Sequence, residues 1–181
     1  MIRKLCSGND RKLLLLAIII TSFSIITLLA VNYTVTGRIT YFYAYHWESG
    51  SLVGVRFITD CRIDSCTPAP DYVKFRYAVY IYTGKSAGIN LNLSEDIPEG
   101  QPLPLFGYVK DVVWSVHGWT GTGTYHSDRN WIPSNPLEVE YATRAYVWVY
   151  VDDDYKTGKD DEDGWGTLVD SDVTIIYNYP P

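Results

Sequence analysis

The chain has 181 residues, 46% of them hydrophobic, 15% aromatic and 20% charged, with a formal net charge of −6. That profile excludes an intrinsically disordered chain and is long enough for one domain with a real core. Without residues 1–12, 11 basic side chains face 20 acidic ones, which excludes the basic patch that nucleic acid or anionic lipid would need.

The first element is Leu13 to Val31, a run with no formal charge, whose 19 residues would span roughly 28 Å as a helix. Arg3, Lys4, Arg11 and Lys12 precede it against a single Asp10, which keeps the N-terminus cytoplasmic and sends the rest across. No polar stripe at helical spacing marks it as a core helix. A signal-peptide cleavage site would pair Ala30 with Leu28, a poor match to the small-residue pattern. The reading is therefore a cytoplasmic tail (1–12), a membrane anchor (13–31) and an extracytoplasmic domain (32–181). Cleavage of the segment would make the domain secreted or cell-surface instead.

Beyond Asn32 the hydrophobic period becomes two. Thr34–Tyr45 alternates with Tyr41, Tyr43 and Tyr45 on one face, and Ser51–Ile58 follows as a second strand. Cys61 and Cys66 come next, on the oxidising side, and the four residues between them are expected to close as a turn under a disulfide. Tyr72–Tyr82, Ile89–Leu93, Leu105–His117, Leu137–Val151 and Val173–Tyr179 complete about seven or eight strands, separated by Gly/Pro turns. The pattern predicts an all-β domain, an antiparallel β-sandwich preceded by one N-terminal transmembrane helix. Sequons at Asn32 and Asn92 are candidate glycosylation sites.

Val35–Tyr41 (VTGRITY) and Gly50–Phe57 (GSLVGVRF) resemble the opening strands of carboxypeptidase regulatory-like (transthyretin-like) β-sandwiches. Gly121–Asp128 is similar to that family's later T-D-x-G turn, with Asn130 where Gly is usual. The resemblance implies an Ig/transthyretin-like sandwich used as an accessory, adhesive or structural module, with no catalytic residue.

Four groups of residues carry possible chemistry. The acidic run from Asp152 to Gly166 offers Asp152, Asp154, Asp161 and Asp163, with Asp170 beyond, as oxygen ligands for Ca²⁺, the one cofactor the sequence suggests. Its EF-hand spacing fails because Lys159 stands at position one, and a solvated hairpin tip is the leading explanation of the charge. Gly84-Lys-Ser86-Ala-Gly88 matches a nucleophile elbow in letters, but a strand pattern follows where a helix is required. His117 and His126, with Ser127 and Asp128, supply the residue types of a triad without its geometry. Trp114, Trp119, Tyr125 and Trp131 crowd a Gly/Thr-rich region and form either an exposed aromatic platform or core.

The function expected is non-enzymatic: a membrane-tethered structural or adhesive module that binds an envelope protein or a glycan. The alternative is a filament subunit, in which Tyr33 to Tyr45 adds as a strand to another copy of the chain.

Overall fold

The computed structural model describes residues 32–82, 107–157 and 164–181. The anchor read at 13–31, the strand Ile89–Leu93 and Ser86 lie outside them. Among the described residues no helix is long and apolar enough to cross a membrane.

The domain is all-β. Among the described residues seven strands follow in order: β1 (Thr34–Ser49), β2 (Leu52–Thr67), β3 (Tyr72–Tyr82), β4 (Gly107–Gly118), β5 (Gly123–Trp131), β6 (Ala142–Asp152) and β7 (Thr167–Tyr177). They form one sheet in the order β4-β3-β6-β7-β1-β2-β5. Every pairing is antiparallel except β7 with β1, which meet in parallel over only Ala44↔Ile176 and Tyr45↔Tyr177.

That narrow junction lets the sheet curl, so that its two limbs, β5-β2-β1 and β4-β3-β6-β7, face each other across the core. Val55, Phe57 and Ile63 of β2 oppose Val73, Phe75, Tyr77 and Val79 of β3 and Val147, Val149 and Val151 of β6, all fully buried. Phe57 stacks on Tyr77 at 5.0 Å, and the Tyr77 hydroxyl donates to Thr59 Oγ1 at 3.1 Å. Where the edge strands β4 and β5 approach, Ser115 and Ser127 share a buried 2.8 Å hydrogen bond.

Local chemistry explains the turns and one departure from the strand pattern. The β1–β2 hairpin has a two-residue loop in which Gly50 takes φ +61°, as the first position of a type II′ turn demands. Leu137 was expected to open a strand. Instead Asn135 caps a short helix α1 (Pro136–Glu140), its side chain accepting from Leu137 N at 3.2 Å, with proline in the first turn. The strand β6 begins only at Ala142.

Candidate functional site

The outward face of the β4-β3-β6-β7 limb carries an aromatic and charged cluster. In cross-strand register Trp114 of β4, Arg76 of β3 and Trp148 of β6 lie side by side. Regular alternation would turn Asp111 inward. A bulge at Val112, between the pairs Tyr77↔Val113 and Ala78↔Asp111, re-aims it to the outer face. There Asp111 accepts two parallel hydrogen bonds from Arg76, Nε to Oδ1 at 2.9 Å and Nη2 to Oδ2 at 2.8 Å.

The Arg76 guanidinium also lies 4.8 Å from the Trp148 ring centre and 5.7 Å from that of Trp165. Trp165 stacks on Tyr150 and Trp148 on Tyr146, each at 5.8 Å, so neighbouring rings fix both indoles. The hydrogen bond to Asp111 holds the Arg76 pKa above its ordinary value, against the opposing effect of burial. Arg76, Asp111, Val112, Val113, Trp114 and Trp165 line a cavity of about 220 Å³. That is below the ~300–1,000 Å³ of pockets that enclose a drug-sized ligand, so it suits one ring of a longer chain.

Of the four aromatic residues read as a platform, only Trp114 belongs to this surface. It is 36% exposed, and its ring packs edge-on against Tyr155, which in turn meets Tyr72. Trp119, Tyr125 and Trp131 take the other alternative, the core. Tyr125 and Trp131 are buried in the core, and Trp119 is half-buried against Tyr125 at 5.8 Å. The Tyr125 hydroxyl accepts from Thr120 N at 2.9 Å and donates to Gly121 O at 2.7 Å, pinning the β4–β5 turn. The signal for Arg76 and Trp148 lay in the opposite strand parity: Arg76 interrupts YVKFRYAVYIY, and Trp148 sits among the outward positions of YVWVYV.

The acids read as a Ca²⁺ shell have other partners. Asp152 receives a 2.5 Å hydrogen bond from Lys74 Nζ, a lysine with no exposed side-chain surface, which also donates to Lys156 O. Asp154 accepts from Lys156 N at 2.9 Å within its own turn, and Asp170 accepts from Ile39 N at 2.8 Å on β1. Asp161 and Asp163 lie outside the described residues. Among the described residues no three His, Cys, Asp or Glu side chains group as a metal ion would require.

Cys61 and Cys66 are both free, and the turn expected between them is extended chain within β2. Five residue steps along the strand set their Cα atoms roughly 16 Å apart, against the ~7 Å limit of a disulfide. Burial, with Asp170 nearby, pushes the Cys61 thiol up to about 12. His126 meets Asp60 at 2.7 Å on the outer side of β5, while Ser127 turns inward to Ser115. His117 packs edge-on against Phe75 at 5.4 Å, and its pKa is lowered by burial and by Arg129 and His126. The triad ingredients are thus divided between the two faces of the strand. Asn32 is exposed, and Asn92 lies outside the described residues.

No protein-family model, curated protein or solved structure matches the chain.

Proposed function

We propose that the protein is an adhesive β-sandwich module at the cell surface, tethered through residues 13–31, that binds a neutral glycan at the cleft between Trp114 and Trp165. The observation that carries this reading is the Arg76–Asp111 pair set among indole rings on an accessible sheet face. A sugar ring offers an apolar face to aromatic rings and pairs of hydroxyls to a planar array of donors and acceptors. Arg76 and Asp111 supply both kinds of polar atom, and each is held in place by the other.

Neutral sugar is favoured over an anionic one because the Arg76 charge is already paired and the outer part of the chain is acidic. The two facing limbs are read as the layers of an Ig/transthyretin-like sandwich, in keeping with the resemblance of the first two strands. Assembly by donation of Tyr33 to Tyr45 is less favoured, because β1 pairs with β2 of the same chain from Thr34 to Ser49.

Affinity electrophoresis of the full chain in detergent, through gels containing neutral polysaccharides, tests the reading. The wild type is expected to be retarded by at least one of them and Trp114→Ala to run unretarded. Equal mobility of both proteins in every gel would remove the glycan assignment.

A further inference from the structure

Lys74 is a fully buried cation that the proposed glycan site does not use, and its surroundings are unusual for a lysine. It lies on β3, points to the outer face, and is nevertheless fully buried, because the segment Asp152 to Lys156 folds over it. Tyr155 holds that segment down by packing on Tyr72 and Trp114. The Asp152 side chain is only 13% exposed. Its Oδ2 receives Lys74 Nζ at 2.5 Å, while its Oδ1 accepts the backbone N–H of Asp153 at 2.8 Å.

We propose that Lys74 and Asp152 condense into an intramolecular amide bond that covalently joins β3 to the end of β6. The fold holds Nζ of Lys74 against the Asp152 carboxyl in a site with little exposed surface, so the two groups meet without the entropy cost of a bimolecular encounter.

Nζ attacks Cγ of Asp152, and the C=O electron pair moves to Oδ1, where the Asp153 N–H stabilises the negative charge. Over the whole step the ammonium nitrogen gives up two protons, Oδ2 gains both, and the Cγ–Oδ2 bond breaks to release one water. Ammonium plus carboxylate becomes amide plus water, with no oxidant or activating group consumed.

The bond does not depend on sugar binding and is tested separately. The intact mass of the purified full chain is expected to fall short of the Lys74→Arg variant by the residue difference plus one water. Lys74→Arg keeps the ion pair but presents a guanidinium that does not condense. Proteolysis of the denatured wild type should release one branched peptide containing Lys74 and Asp152, absent from the variant. A wild-type mass equal to that of its full sequence, with Lys74 open to acetylation after denaturation, would overturn the proposal whether or not the variant folds.

Discussion

At the scale of the residue, side chains of one type divide sharply by the face they occupy. Trp114 is partly exposed beside Arg76, whereas Trp131 is buried with the Lys110 ammonium 5.8 Å from its ring centre. Trp131→Ala is therefore expected to cost about 3–5 kcal/mol of stability, read by denaturant unfolding. Trp114→Ala should cost less than ~1 kcal/mol and act on binding instead. The thiols give a second contrast. Cys61, pushed from 9.0 to about 12 chiefly by burial, stays a neutral thiol in the fold. Since its folded pKa exceeds its unfolded one, its stabilising effect is complete below pH 9 and declines as pH rises toward 12. Unfolding free energy should fall over that window, and less steeply in Cys61→Ala. At pH 8 a thiol reagent should reach Cys61 only after denaturation.

At the scale of the element, the two-residue period of Thr34–Tyr45 and Tyr72–Tyr82 was legible because apolar and polar side chains alternate there, and both runs are strands. Strand β5 was missed because its outward residues Thr124, His126, Asp128 and Asn130 are polar, leaving only Tyr125 and Trp131 as apolar signal. The bulge at Val112 was illegible for a different reason. It depends on how β4 sits against β3, so no local pattern announces that Asp111 faces outward. Nor does composition show that a buried lysine on β3 supplies the charge opposite Asp152.

That lysine bears on a prediction: chelation should leave the melting temperature of the full chain unchanged, and a fall of several degrees would restore the Ca²⁺ shell. Strand packing supplies another. A Cβ on Gly54 would stand 2.1 Å from Trp131 O, with no flexible atom to yield, whereas one on Gly50 meets nothing within 4 Å. Gly54→Ala should cost about 1–3 kcal/mol or more, measured by urea unfolding. Gly50→Ala, with room for the side chain but a backbone held at φ +61°, should cost about 1 kcal/mol or more through strain alone.

At the scale of the molecule, the curl of one sheet accounts for both its stability and its proposed use. A two-pair junction between β7 and β1 bends the sheet so that the inner faces seal a core, and the outward face of the four-stranded limb remains to present Arg76, Asp111 and the indoles. All-β architecture was legible in composition and period. The division into inner and outer aromatic sets was not, because strand parity assigns a face only once the partner strands are known.

The most direct measurement is a calorimetric titration of the full chain, in detergent, with a neutral oligosaccharide. Saturable binding is expected, insensitive to salt because no net charge is neutralised, and at least tenfold weaker in Arg76→Ala and Trp114→Ala, a loss of about 1.4 kcal/mol or more each. Affinity that both variants retain in full, or no saturable binding by any neutral oligosaccharide, would contradict a glycan-binding site on this face.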